Sequence, residues 1–202
     1  MTNVVESQLA DGTEITVCSF VYPDDTQQLF DFFCRLPPRI RNYLRFDVTR
    51  RDLLEKRLAL LDNEDHWLLF AKTGGQIIAQ AALDREPYGW TRHVAGVRSV
   101  VTDEWDNKGV RDILLHQIVS IAEKKGIERL YTEVQIEQRG YITRLEENGF
   151  VPYVTMPGYS KDLKGRMHDV MVMSNDLHNV WDILKERLED MDIRMPNIHG
   201  GS

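Results

Sequence analysis

Val94-Ala95-Gly96-Val97-Arg98-Ser99-Val100-Val101, followed after three residues by Trp105-Asp106-Asn107-Lys108-Gly109-Val110-Arg111, is the stretch that decides the fold of this 202-residue chain. The first run is apolar and β-branched, which predicts a strand that is at least partly buried. After the loop, Val110, Ile113, Leu114, Ile118, Ile121 and Ala122 recur at helical spacing until Gly126 supplies a stop. A strand, a short loop and a helix N-terminus together make an anion site. The first amides of a helix have no partner inside it and the helix dipole adds positive potential, so a phosphate is a natural guest.

Working outward, Ile15 to Tyr22 reads as the first strand, after a ragged stretch over residues 1–12. Pro23 and Asp24 open a helix with Leu29, Phe32, Phe33 and Leu36 on one face, and Pro37-Pro38 ends it. Cys34 follows on that apolar face and is expected in the core. Thr49 and Asp52 stand at capping-box-like spacing before Leu53, Leu54, Leu58 and Leu61, which predicts a second helix packed beside the first. Thr73-Gly74-Gly75 joins two β-rich runs as a hairpin, and Pro87 to Trp90 turns the chain into the strand at Val94. Downstream come a strand from Arg129 to Val134, a helix from Gln138 to Asn148, and strands near 151–159 and 168–173. A meander followed by alternating strands and helices indicates an α/β fold with a mixed sheet. Met167, Met171 and Met173 alternate as one strand face would, for core or dimer packing. Leu177, Val180, Trp181, Leu184, Leu188 and Met191 form an apolar stripe on a last helix, which must cover its own sheet or a second copy as a homodimer. The units expected are thus 1–12, a domain over 13–176, and a C-terminal helix with a polar, disordered tail over 177–202.

Composition limits the function classes. With 42% hydrophobic and 28% charged residues the chain has the make-up of a globular protein. A net charge of −7 argues against a general nucleic-acid partner. No apolar run approaches the ~18 residues of a membrane span. Met1 to Asp11 lacks the order of a signal peptide. Cys18 and Cys34 are too few for a disulfide framework or a metal site, and fit a reduced, cytoplasmic setting.

The strand and loop VRSVVTDEWDNKGVR, the following LLHQIVSIAEKKGIERLYTEV, the segment YITRLEENGF and the closing HDVMVMSNDL, in this order, resemble the GNAT-type N-acetyltransferases. The entry segment FFCRLPPRIRNYLRF is similar to that of bacterial relatives of protein lysine acetyltransferases. The resemblance covers roughly Thr13 to Asp176. It implies a mostly antiparallel central sheet flanked by helices, and acyl transfer from acetyl-CoA or another acyl-CoA to a small amine or a protein lysine.

It also implies a cofactor site. Backbone near Ser99, Val100 and Val101 would pair with pantetheine, and the loop from Asp106 through Asn107, Lys108, Gly109, Val110, Arg111 and Asp112 would take the pyrophosphate. The family loop reads Q/R-x-x-G-x-G/A, and Asp106, Gly109 and Arg111 stand at its three defined positions, so one of the three matches. A long side chain at 111 must swing away or occupy the phosphate's space, with Asp106 and Asp112 as its nearest intramolecular partners. Gln138 matches a frequent Asn that holds the cofactor's amides. Many relatives carry a Glu base where this chain has Gly96, and a Tyr acid where it has Leu145. His93 has the pKa range of a base, although a strand-end histidine is commonly a surface residue. Glu133 and Glu137 lie where α/β sites gather. Tyr141 and Tyr131 are candidate acids, although a tyrosine beside apolar neighbours usually serves packing. The catalytic candidates are His93, Glu133 and Tyr141. The altered positions leave open a non-catalytic GNAT-fold module acting as a sensor or assembly subunit, and a dimerisation protein built on the last helix.

Overall fold

A computed structural model describes residues 4–61, 65–162 and 164–195. In chain order the elements are β1 (Val4–Gln8), β2 (Glu14–Ser19), α1 (Thr26–Arg35), α2 (Pro38–Arg41), α3 (Arg51–Leu61), β3 (His66–Thr73), β4 (Gln76–Arg85), β5 (Val94–Val101), α4 (Asp103–Asp106), α5 (Val110–Lys124), β6 (Arg129–Gln135), α6 (Arg139–Glu147), β7 (Val151–Lys161), β8 (Met167–Asp176) and α7 (Leu177–Asp190). The described strands form one sheet in the order β1-β2-β3-β4-β5-β6-β8-β7. It is the mixed, mostly antiparallel α/β architecture expected.

The single parallel pair, β5 with β6, follows from connectivity. A chain that returns through a helix as long as α5 re-enters the sheet pointing the same way. The pairing is short: Val94 with Arg129, Ala95 with Leu130 and Gly96 with Tyr131. Beyond these residues β5 stays with β4 as far as Val101, and β6 stays with β8 as far as Gln135. The two strands therefore part from Val97 and Thr132 onward, leaving a wedge at their carboxyl ends.

Two apolar layers hold the sheet. On one face α5 and α7 cover Ala81, Leu83, Ala95, Val97 and Leu130, and Ile113, Leu114 and Ile118 of α5 are fully buried. On the other, Leu29, Phe32 and Phe33 of α1 and Leu54 and Leu58 of α3 pack on Phe70 and Ile77. Val180, Leu184 and Leu188 of α7 have no exposed surface and join the α5 core. Trp181 is partly buried and stacks on His116 of α5 with ring centroids 4.6 Å apart. The stripe on the last helix thus covers its own domain.

Several local expectations need correction. Residues 4–8 are a strand, not a ragged start. Their apolar members sit on an exposed sheet edge with polar neighbours, so no clear alternation marks them. Pro37 and Pro38 do follow the end of α1 at Arg35 as expected, but Pro38 also opens α2, where a missing N–H costs nothing. Thr49 donates its hydroxyl to Asp47 at 2.6 Å and makes no capping box. Cys34 is exposed. Met173 is fully buried, whereas Met167 is 56% exposed. The tail from Pro196 to Ser202 lies outside the described residues.

Candidate active site

A cleft of about 470 Å³ fills the wedge between β5 and β6. Arg98, Ser99, Val100 and Val101 line it from β5, Thr132 and Glu133 from β6, and Gln138 to Tyr141 from the start of α6. The segment from Arg39 to Arg45 borders it as well. Past Gly96 the β5 edge facing β6 has no strand partner, and Arg111 Nη1 reaches the Ser99 carbonyl there at 3.5 Å.

At the wide end of the wedge stands the first turn of α5. Ile113 N–H donates to Gly109 C=O at 3.0 Å, which begins the helical ladder. The amides of Val110, Arg111 and Asp112 before it have no partner within the helix. Gly109 precedes the helix with φ of 81°. A Cβ there would lie 2.5 Å from Ile193 Cδ1 and 2.8 Å from Met191 Cε. Expected as the residue that lets a phosphate approach, this glycine is already required by its left-handed backbone and by the C-terminal segment behind it.

Arg111 lies across the wedge. Its Nε donates to Asp106 Oδ1 at 2.9 Å and its Nη1 to Ser99 Oγ at 2.5 Å. The guanidinium carbon sits 4.7 Å from the centroid of the Tyr141 ring, and the Tyr141 hydroxyl is 3.3 Å from Ser99 Oγ. One side chain, only 6% exposed, ties the loop to β5 and α6. Asp112 takes no part in this. It accepts from Asn148 and from Arg187, each at 3.1 Å, and so binds α5 to α6 and α7.

The remaining candidates divide clearly. Asn107 accepts from Arg144 at 2.6 Å, and Lys108 reaches Asp11 at 3.2 Å while lying over the Trp105 ring, so neither lines the cleft. Val110 is fully buried in the core. Gln138 lines the cleft, with its Oε1 accepting from Gln135 N–H at 3.1 Å. Glu133 lines it too, paired with Arg45 at 2.7 Å. His93 borders a separate cleft with Arg85, Trp90 and Lys125, just before β5 begins. At ~3.3 Å per residue that is about 20 Å along the strand from Ser99. The wedge therefore unites Glu133 with Tyr141 and leaves His93 out.

The position opposite the wedge's closed end is filled. A Cβ on Gly96 would meet Cζ and the hydroxyl oxygen of Tyr131 at 3.1 Å. Arg98, which sequence reasoning passed over, is ion-paired with Asp84, and Asp84 also holds His66 Nδ1 at 2.9 Å. Burial pushes the Arg98 guanidinium below its ordinary value; Asp84 opposes this, while Arg45 and Arg57 act in the same sense as burial. A guanidinium remains cationic nonetheless. The available signal was a charged residue inside an apolar strand run. Thr132, 2% exposed, keeps a hydroxyl with no partner at the cleft wall. Among the described residues no group of three His, Cys, Asp or Glu side chains is placed to hold a metal ion.

The model of the acetyltransferase (GNAT) family matches residues 26–150, well over half the chain. The protein belongs to the GNAT acetyltransferase family. Solved GNAT structures share its fold. The acetyltransferase of GNAT family from Streptococcus pneumoniae superposes with a TM-score of 0.68 at 20% identity, over 80% of this chain and 99% of that one. The GNAT domain of S. lividans PAT gives 0.69 at 24% identity, over 86% and 96%. The ribosomal-protein-S18-alanine N-acetyltransferase from Escherichia coli gives 0.62 at 18%, over 81% and 94%. No curated protein matches the sequence itself. Among the described residues of this GNAT protein no helix is long and apolar enough to cross a membrane.

Proposed function

We propose that this GNAT protein is an acyl-CoA-dependent N-acyltransferase, with acetyl-CoA as donor and a small amine or a protein lysine as acceptor, working in the cytoplasm. The observation that carries the reading is the wedge, whose lining includes Arg111 from the first turn of α5, where the opening amides of a helix have no intrahelical partner. Those amides suit the donor's pyrophosphate, and the free β5 edge from Ser99 to Val101 suits its amide-bearing arm. The acceptor nitrogen attacks the thioester within a ternary complex, where positioning supplies much of the acceleration. Glu133 stands on the β6 wall as the carboxylate that takes the amine's proton, directly or through water, and Tyr141 faces β5 as the proton donor to the departing thiolate. Calorimetric titration with acetyl-CoA, together with thiol release in the presence of amines, tests the reading. Glu133→Gln is expected to lower kcat by roughly 10²-fold and to leave donor affinity unchanged. Absence of donor binding in both the wild type and Arg111→Ala overturns it.

One observation favours a second reading, that of a non-catalytic module. The Arg111 guanidinium occupies the passage between loop and β5 that the donor needs, and Asp106 places negative charge beside it. A ligand must displace this network in order to bind.

A further inference from the structure

Beside the wedge, on the α1 and α3 face of the sheet, lies a smaller cavity of about 120 Å³. It shares Leu44, Arg45, Arg98 and Val100 with the wedge, so the two adjoin along these residues. Its walls are mainly apolar, with Leu29 and Phe33 from α1, Leu54 and Leu58 from α3, and Leu68 and Ala82 from the sheet. The size is comparable to that of the ~150 Å³ apolar cavity that accommodates benzene, and so suits a branched aliphatic or small aromatic group.

Two features show that the cavity is built for something other than hydrocarbon alone. Gln80 lines it and is 7% exposed. A side-chain amide on the cavity wall offers a ligand both a donor and an acceptor. Arg45, Arg57 and Arg98 line the same cavity. Glu133 answers Arg45 and Asp84 answers Arg98, while Arg57 has no carboxylate partner among the described residues. Among the described residues, three guanidiniums against two carboxylates leave one positive charge beside an apolar pocket.

We propose that this cavity binds a small apolar α-amino acid, its side chain among Leu29, Phe33, Leu54 and Leu58, its carboxylate on Arg57 and Arg98, and its amine turned into the wedge. The proposal names the acceptor class and rests on the acyltransferase reading only for the fate of that amine. In the transfer the amine lone pair forms the C–N bond to the acyl carbon and the C–S bond breaks with its electrons on sulfur. The proton lost by nitrogen passes through the carboxylate or water to the thiolate, giving N-acyl amino acid and free CoA.

The test uses calorimetry with leucine, phenylalanine, leucinamide and aspartate on the full chain without CoA, and then thiol release with acetyl-CoA and the same amines. Leucine or phenylalanine is expected to bind, and leucinamide and aspartate at least ten-fold more weakly. Arg57→Gln is expected to weaken leucine about ten-fold, the scale of one hydrogen bond to a charged group, while leaving leucinamide unchanged. Arg57 is on an exposed helix face, so this variant keeps the fold. Leu54→Trp, which fills the cavity, is expected to abolish leucine binding; retained donor binding shows that it has folded. Leucine binding with no thiol release supports the cavity and counts against the acyltransferase reading alone. Equal binding of leucine and leucinamide, or no binding of any apolar amino acid, overturns the proposal. So does a preference for succinyl-CoA over acetyl-CoA that Arg57→Gln removes, since the arginines then serve a carboxylate on the acyl group.

Discussion

Arg111 is held by three kinds of contact at once: a carboxylate, a hydroxyl and an aromatic face. By the resemblance, the position it matches in the family loop is small, so under the proposed function the guanidinium and a donor phosphate compete for one volume. A phosphate would be a better partner for arginine than Ser99 is, yet the room is already taken. Arg111→Ala is therefore expected to tighten CoA binding about ten-fold, the equivalent of about 1.4 kcal/mol. Titration at two salt concentrations checks it: weaker binding by the variant, with wild-type affinity falling steeply in salt, would make Arg111 a phosphate ligand instead. Gly96 invites a different expectation. Restoring a glutamate there looks from the sequence like a gain in rate, but the Tyr131 ring end stands 3.1 Å from where the Cβ must go. Gly96→Glu alone is expected to lower the melting temperature and give no gain. A rate increase in the single variant would show that Tyr131 yields freely.

At the scale of elements, α7 is a structural part of the domain and not an appendage. Leu184 is fully buried between α7 and α5. Leu184→Ala should cost about 2–5 kcal/mol, read as a lower denaturant midpoint at unchanged slope. A change in sedimentation without loss of stability would point to a dimer contact instead. The same interface holds His116, 4% exposed, with Nε2 unpartnered and the ring against Trp181. Burial pushes its pKa below the ordinary value. The unfolded chain therefore takes up the proton first. The stability contributed by neutral His116 is complete above about pH 6.5, the unfolded value, and is lost as pH falls below it toward the lowered folded value. Midpoints for wild type and His116→Phe at pH 7.5 and pH 5 should converge in the neutral sample and separate in the acidic one. A wild type that loses nothing extra at pH 5 would contradict this.

Over the whole molecule, what could be read in advance was what local periodicity and turn chemistry encode. The boundaries of β5 and α5, the Thr73 hairpin and the buried stripe of α7 all follow from patterns within one element. The site was only half legible, because its contacts join residues far apart in sequence. Asp106 was foreseen as a partner of Arg111 because it lies five residues away. Asp112 was named beside it, yet pairs with Arg187, 75 positions downstream, which no local pattern indicates. His93 was placed by chemistry without direction: it precedes β5, whereas the wedge opens at that strand's other end. Gln80 and Arg57 gave no signal at all, since an exposed arginine and a strand glutamine are ordinary until a cavity joins them.

The seam between β5 and β6 has a mechanical consequence. Among the described residues three β5–β6 pairs stitch two rafts of strands together, one running from β1 to β5 and the other from β6 to β7, with α5 as the strap and the Gln8–Arg194 bridge as a second tie. Each raft carries one bank of the wedge. A chain cut at Gly126, a left-handed turn residue with open space around it, would divide the molecule between rafts and leave the strand pairings within each raft intact, with the β5–β6 pairs and the Gln8–Arg194 bridge between fragments. The fragments 1–125 and 126–202 should reassemble through the α5–α7 core, and their affinity for each other becomes a gauge of whatever bridges the two banks.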